Sequence, residues 1–333
     1  MWTRFSAFAL ALAALSAGHE ASAAEADFFR GKTVSYIVAT APGGGYDAYT
    51  RLIARYMQKH LPGSRFVVRN VPGAGHIVGT NTLYRSRPDG LTIGMFNQGM
   101  IYDQLLQREG VLFDLTRMEW IGSAAHDARC IVIASNSGYG SFQELLDAGA
   151  PIRMAMGGVG SAAYNDTRIV AEALHLELQI VFGFEGAEGE LSMMRGEVAA
   201  MSGACGSYGP FVRNGHGFYA LVVSKDADML PNVPRAHDFV TDERGTRLLA
   251  LIETLSDLGR LTAAPPGIPP ERLAALREAH DRALADPMLR EEAMRLGLPI
   301  EPKGGETVAT MVRQSLDQSQ ESIALLREAT MAR

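Results

Sequence analysis

The chain has 333 residues, 47% of them hydrophobic and 20% charged, and its net charge is −6. This length suits two domains with separate cores, and the composition is ordinary for a soluble globular protein. No run of Lys or Arg provides the basic surface that nucleic-acid binders carry, so we expect no nucleic-acid partner.

Residues 1–24 have the pattern of a secretory signal peptide. Arg4 gives a positive start, an apolar run covers 5–17, and Ala21-Ser22-Ala23 fits a signal peptidase site. The apolar run is shorter than the ~20 residues of a transmembrane helix, and no Cys near the cleavage site suggests a lipid anchor. We therefore expect a mature protein that starts near Ala24 and is exported to the periplasm.

Strands, glycine loops and helices then alternate along the chain. The run 33–39 is typical of a buried parallel strand, and after a glycine loop the apolar spacing in 48–60 fits one face of a helix. A helix ending at Leu83 follows. Further strands are predicted at 66–69, 91–96, 130–134, 152–156, 179–182, 198–201 and 218–223. The alternation predicts an α/β fold with mostly parallel sheets.

The C-terminal part is predicted to be helical. Pro270 opens a helix to about Ala285, a second helix from Pro287 ends at Gly297, and 307–329 is predicted to form one long final helix. These amphipathic helices need a sheet to cover, and the first sheet is the best host.

The chain is therefore predicted to leave the first lobe, build the second and return. Lobe 1 comprises 25–125 plus 253–333, and lobe 2 comprises 126–252. Crossings at 125–126 and 251–256 are expected to act as a hinge.

A glycine loop at residues 42–47 is the first candidate binding site. Gly43, Gly44 and Gly45 allow a tight turn with exposed N–H groups, Tyr46 follows, and Asp47 is predicted at or near the N-cap of the next helix. A helix N-terminus favours anions. From this loop alone, an anion site and a plain turn capped by Asp47 are equal alternatives.

A second loop, at residues 157–161, repeats this arrangement. Gly158 and Gly160 follow a strand, Ser161 offers a hydroxyl, and a helix begins. Because ligands bind at the carboxyl ends of parallel strands, the two loops are expected to face each other across a cleft. The aromatic residues Tyr46, Tyr164 and Phe184 flank the loops and are candidates to pack against a ligand.

The same residues allow a different interpretation. Gly158, Gly160 and Ala163 fit a short dinucleotide-binding pattern, and Glu185 lies near where a ribose-binding acid would be. An exported protein has little access to diffusible NAD, which makes an exported NAD-dependent oxidoreductase the weaker alternative. The chain has no Gly-x-Ser-x-Gly, Walker or His-Glu-x-x-His motif, so we predict no catalytic residue, no metal and no cofactor.

Cys130 and Cys205 are the two cysteines. In an oxidising compartment they can pair, but the sequence does not show their separation. Two small buried thiols in neighbouring strands are the favoured interpretation.

Seven short motifs and a helix break at Asp286-Pro287 follow one another through the chain. The motifs are 42–47 (PGGGYD), 67–75 (VVRNVPGAG), 87–90 (RPDG), 158–161 (GVGS), 195–198 (RGEV), 230–234 (LPNVP) and 264–269 (APPGIP). In order and spacing they resemble the Bug-type (TctC-like) extracytoplasmic receptors of tripartite tricarboxylate transporters.

The resemblance implies a two-lobe periplasmic-binding-protein fold (type II-like) that closes on a small carboxylate and works with the membrane subunits of a transporter, as a monomer. It also implies contacts from the two loops and from Asn97 and Gln98, which follow the third strand. A sensor that presents its ligand to a signalling kinase predicts the same pocket.

Two positions depart from the family pattern. Tyr164 stands where many relatives have His, and Phe184-Glu185-Gly186 stands where Tyr-Lys-Gly is common. A lost cation and a gained carboxylate favour a less charged, aromatic or amino-bearing acid over a tricarboxylate.

Overall fold

The computed structural model describes residues 27–126, 128–184, 187–224 and 230–331. The predicted signal peptide and Glu185 lie outside these residues. Within them, no helix is long and apolar enough to cross a membrane.

Eleven strands form two sheets among these residues. The strands are β1 (Thr33–Val38), β2 (Arg65–Asn70), β3 (Thr92–Phe96), β4 (Glu119–Ala125), β5 (Arg129–Ala134), β6 (Ile152–Met156), β7 (Leu178–Phe182), β8 (Ala200–Ala204), β9 (Gly217–Val222), β10 (Gly259–Ala264) and β11 (Lys303–Gly304). The first sheet has the order β11-β4-β10-β3-β1-β2, and the second has the order β7-β6-β8-β5-β9.

Helices pack on both sheets. They are α1 (Gly45–His60), α2 (Ile77–Tyr84), α3 (Gly99–Leu105), α4 (Phe142–Asp147), α5 (Ala162–Ala173), α6 (Ala187–Met194), α7 (Gly209–Arg213), α8 (Glu243–Ser256), α9 (Pro270–Ala285), α10 (Pro287–Leu296), α11 (Gly305–Leu316) and α12 (Gln320–Met331). The two sheets with their helices are the two lobes of an α/β fold.

Most strands of each sheet run in the same direction, as predicted, but each sheet is mixed. Strand β1 pairs with β2 and β3 in parallel, whereas β10 runs antiparallel to β3 and β4. In the second sheet, β6 is parallel to β7 and β8, but β5 is antiparallel to β8 and β9. Strands β5 and β10 each begin where the chain arrives from the other lobe, so they start at the edge where the parallel strands end.

The predicted single helix over 307–329 is wrong, because the structure has two helices there, α11 and α12. Asp317 leaves the helical region with a ψ of 66° and ends α11. The Ser319 hydroxyl then accepts a hydrogen bond from the Ser322 amide at 3.1 Å and caps α12. The break lets α12 turn onto α5 and α8 of the second lobe, while α11 stays on β4.

The segment 251–256, predicted to be part of the hinge, is helical and belongs to α8, which packs on α5. The chain passes from α8 to β10 at residues 257–258 instead. The other crossing follows β4, as expected.

The largest apolar cluster is shared by the two lobes. It joins Met100 and Trp120 of the first lobe to Ile169 and Leu248 of the second, and it includes Leu325 of α12. The lobes therefore share an apolar core.

Cys130 and Cys205 form a disulfide, with their Cα atoms 5.2 Å apart. The favoured interpretation of two separate thiols is wrong. Cys130 lies in β5, and Cys205 follows β8 directly. Because these neighbouring strands pair Cys130 with Gly203, the sheet register brings the two thiols together.

Candidate functional site

A cavity of about 360 Å³ lies between the lobes. The first lobe contributes the glycine loop, His76, Asn97, Leu296 and Leu298 to its wall. The second lobe contributes the ends of β6 and β8, the start of α5, and side chains from three further segments. These side chains are Arg129, Phe184, Glu190, Ser207, Tyr208 and Pro210.

The glycine loop forms one wall, with Gly43, Gly44, Gly45 and Tyr46 all on the cavity. Helix α1 begins at Gly45 and has no side-chain cap at its N-cap residue, Gly44. The first amides of a helix lack partners within the helix, so this end offers donors and partial positive charge to the cavity.

Asp47 lies behind the loop and is not the N-cap. Its carboxylate accepts hydrogen bonds from the Gly43 amide at 3.0 Å, from Asn70 at 2.9 Å and from Arg51 at 3.0 Å. Burial alone would raise the pKa of Asp47, but the bonds from Arg51, Gly43 and Asn70 together outweigh burial and hold the pKa below its ordinary value. Asp47 is absent from the cavity wall and instead holds the loop in shape.

We expect Asp47→Asn to lower the free energy of unfolding at pH 7 by about 1–3 kcal/mol, because several charge-assisted bonds are lost. A carboxylate with a lowered pKa stabilises the fold above its unfolded-state pKa and loses that effect as pH falls through the folded-state pKa. The difference between wild type and variant, measured by urea unfolding, should therefore shrink below pH ~4. An equal difference at pH 7 and pH 3 would contradict this role.

The second loop approaches the cavity through the start of α5. The Ser161 hydroxyl accepts a hydrogen bond from the Tyr164 amide at 3.2 Å and donates one to the Gly158 carbonyl at 2.9 Å. Ser161 lines the cavity, yet its hydroxyl caps α5. Ala162 and Ala163 also line the cavity, so the first amides of this helix add a second set of donors.

Gly158 and Gly160 are not on the cavity wall. Their loop instead touches the first lobe at Gly75, where a Cβ would overlap the Val159 carbonyl and lie 2.7 Å from the Ser161 nitrogen. Gly75 has a φ of 60°. The backbones of the two lobes therefore meet here, and the lobes are closed on each other.

We expect Gly75→Ala to hold the lobes apart, because the added methyl group occupies the space that the second loop fills. Gly149→Ala is the matched control, since Gly149 has a φ of 59° but nothing within 4 Å of its Cβ position. Both variants should lose about 1–2 kcal/mol of stability from backbone strain. Small-angle X-ray scattering should show a larger radius of gyration for Gly75→Ala alone. Equal radii for the two variants would rule out the closure contact.

Two buried arginines adjoin the cavity. Arg129, on its wall, donates from Nε to Asp166 at 2.6 Å, and Asp166 also accepts from the Tyr102 hydroxyl at 3.0 Å. Burial and Asp166 raise the pKa of Tyr102 well above its ordinary value, so the hydroxyl keeps its proton. Tyr102 belongs to the first lobe, so this network joins both lobes.

Arg260 lies behind the glycine loop. Its guanidinium stacks 3.9 Å from the centre of the Tyr46 ring and 4.7 Å from that of Tyr49. It also donates to the Ser207 hydroxyl of the second lobe at 3.1 Å. Positive charge thus lies close to the amides that face the cavity.

Asn97 and His76 line the cavity together. Asn97 Nδ2 lies 2.8 Å from His76 Nδ1, and Asn97 Oδ1 accepts from the Gly99 amide at 2.8 Å. Burial lowers the pKa of His76 to about 4, so the imidazole is neutral at pH 7. Gln98 is fully buried beside them and is not part of the wall.

The predicted aromatic residues divide into two groups. Tyr46 and Phe184 line the cavity. Tyr164 does not, because its side chain is buried and its hydroxyl donates to the Thr330 carbonyl of α12 at 3.2 Å. The departure from the family pattern at Tyr164 therefore affects helix packing. The expectation of a less charged or amino-bearing ligand then depends on the departure around Phe184.

Sequence reasoning missed Arg129, Arg260 and Glu190. A signal was present for the arginines, because each stands at the start of a strand that is otherwise made mostly of small and apolar residues. Buried arginines are rare unless they are paired or functional. Glu190 gives no comparable signal, because acidic residues are common in the first turn of a helix whether or not they face a ligand.

Among the described residues, no group of three His, Cys, Asp or Glu side chains has a metal-binding arrangement. The cavity wall combines backbone amide donors, the ion-paired Arg129, the neutral His76, the carboxyl group of Glu190 and apolar side chains. This chemistry suits binding of a small polar organic molecule.

The family model for the tripartite tricarboxylate transporter family receptor matches residues 49–328. A UPF0065 protein of Pseudomonas sp. strain P51 is 24% identical over 307 residues, covering 90% of this chain and 88% of the relative. BugT of Bordetella pertussis is 37% identical over 73 residues, 22% of each chain.

Solved structures of periplasmic binding proteins share the fold. BugD superposes with a TM-score of 0.76 at 24% identity, covering 90% of this chain and 97% of its own. MatC of Rhodopseudomonas palustris with bound malate superposes with a TM-score of 0.73 at 20% identity, covering 89% and 99%. The two-lobe prediction is confirmed.

Proposed function

This chain belongs to the receptor family of the tripartite tricarboxylate transporters, and we propose that it binds a small organic carboxylate between its lobes and delivers it to such a transporter. We further propose that it acts as a monomer in the periplasm after loss of residues 1–24. The observation that carries the proposal is the pair of helix N-termini, α1 and α5, whose first residues line one cavity between the lobes.

The energetics support a carboxylate. A hydrogen bond to a charged group contributes ~1.5–3 kcal/mol, so four or five amide contacts reach the ~8 kcal/mol of micromolar binding before ordering costs. Arg260 behind Tyr46 adds positive potential on the same side. Binding across both lobes also favours the closed form, because the ligand contacts both walls only when the lobes meet.

Solved relatives agree with this class of ligand. MatC was solved with malate and another Rhodopseudomonas palustris protein with adipate. Both molecules are small carboxylates, and the cavity here has the volume of an ordinary small-molecule site.

Calorimetric titration of the mature protein with a panel of aliphatic and aromatic mono- and dicarboxylates tests the proposal. We expect at least one acid to bind with micromolar affinity, and the corresponding primary amide or alcohol to bind at least about tenfold more weakly. Equal binding of an acid and its amide, or no binding by any acid, would refute a carboxylate receptor.

A further inference from the structure

Glu190 places a carboxyl group on the wall of the cavity. It lies in α6, is half-buried, and forms no hydrogen bond or ion pair with another described residue. The other acids next to the cavity differ, because Asp47 and Asp166 are each bonded to an arginine. Among the described residues, none therefore balances the charge of the Glu190 carboxylate.

The packing of helix α6 fixes the backbone position of Glu190. A Cβ on Gly189 would lie 2.7 Å from the Met201 sulfur, so the helix packs flush against β8 at this point. At its start, Ala187 lies against the glycine loop, where a Cβ on Gly43 would be 3.9 Å away. Glu190 follows Ala187 by ~4.5 Å along the helix axis, so it shares the cavity with the α1 amides.

The second-lobe wall that carries Glu190 is largely apolar. Phe184, Met201 and Tyr208 line the same second-lobe wall and belong, with residues of β5 and β6, to one apolar cluster. Burial raises the pKa of Glu190. A carboxylate removed from water without a partner is costly, whereas a ligand cation offsets that cost, and aromatic rings add to the attraction for a cation.

A second carboxylate on the ligand would have the opposite effect. Brought near Glu190 in this cavity, it adds like-charge repulsion to the desolvation of both groups. Glu190 thus disfavours dicarboxylates by repulsion and favours cationic ligands by attraction, and both effects contribute to specificity.

We propose, building on the proposed carboxylate-binding function, that Glu190 selects ligands that carry a positively charged nitrogen in addition to the carboxylate. The α1 and α5 amides hold the carboxylate end, and Glu190 holds the ammonium group. The ligand is then a zwitterionic amino acid or related amino-carboxylate with an apolar body.

Two matched sets of acids test this assignment by calorimetry. The aliphatic set is 6-aminohexanoate, hexanoate and adipate, and the aromatic set is 4-(aminomethyl)benzoate, 4-methylbenzoate and terephthalate. Within each set only one terminal group changes, from CH2–NH3+ to methyl to carboxylate. In the wild type, the ammonium member of at least one set should bind about 10- to 100-fold more tightly than the other two.

Glu190→Gln should abolish this preference, weakening the ammonium member about 10- to 100-fold while the methyl member changes less than about threefold. Glu188→Gln is the control, because Glu188 lies exposed in the same helix and is absent from the cavity wall. It should leave all affinities unchanged. Circular dichroism melting of both variants verifies folding.

Tighter binding of the methyl or dicarboxylate members, or an unchanged preference in Glu190→Gln, would overturn the role of Glu190 and leave the carboxylate receptor standing. Binding of none of the six acids would also overturn the role of Glu190, whereas the carboxylate receptor is tested separately by the wider panel of acids.

Discussion

Replacing Arg129 with alanine is expected to lower the free energy of unfolding by about 3–5 kcal/mol, because it leaves the Asp166 carboxylate buried without its ion-pair partner. The side chains of Arg129 and Asp166 are 3% and 0% exposed, so water cannot substitute for the lost guanidinium. Urea unfolding followed by circular dichroism measures the effect.

A double-mutant cycle with Asp166→Ala separates the pair from other losses. The double variant should be more stable than the sum of the two single changes predicts, by about 1–3 kcal/mol, because removing both charges leaves no unpaired one. Arg153→Ala provides the control, since Arg153 is exposed on β6 of the same sheet and should change stability by less than about 0.5 kcal/mol. Additive effects of Arg129→Ala and Asp166→Ala would show that the two groups are not coupled.

The second large effect is expected from removing the disulfide. Cys130 and Cys205 are 75 residues apart in sequence, and a cross-link over such a loop typically contributes about 2–4 kcal/mol by restricting the unfolded chain. Cys130→Ala/Cys205→Ala should lose this contribution, measured as a lower midpoint of urea unfolding.

Dithiothreitol provides the internal control. It should lower the midpoint of the wild type to near that of the double-alanine variant and leave the variant unchanged. The disulfide also lies next to the cavity, because Gly206 and Ser207, which directly follow Cys205, line the cavity. A wild type that unfolds identically with and without reductant would show that the cross-link does not stabilise the fold.

Local patterns in the sequence predict much of this fold. The strand at Ile152–Met156 and the helices beginning at Pro270 and Pro287 follow directly from apolar periodicity and proline positions. The glycine loop and the start of α5 border the cavity because both follow the carboxyl ends of parallel strands, where α/β folds bind ligands.

Features that depend on distant residues escaped prediction. The antiparallel course of β5 and β10 follows from where the chain crosses between lobes, which no local pattern contains. Asp47 satisfies the rule for an N-cap residue, yet Asn70 and Arg51 draw its carboxylate behind the loop.

The same limit on prediction from local sequence applies to the cavity wall. Ser161 and Tyr164 fit a ligand site by position, but the first caps a helix and the second packs under α12. Arg129 and Arg260 became visible as site residues only once their partners, Asp166 and Tyr46, were located in space.

The apolar cluster shared by the lobes has a thermodynamic consequence. Met100 and Trp120 belong to the same apolar cluster as Ile169 and Leu248, so melting one lobe exposes apolar surface on the other. Each lobe then loses part of its buried apolar surface when its neighbour unfolds. We therefore expect one calorimetric transition for the whole chain, with van't Hoff and calorimetric enthalpies that agree, instead of two separate ones.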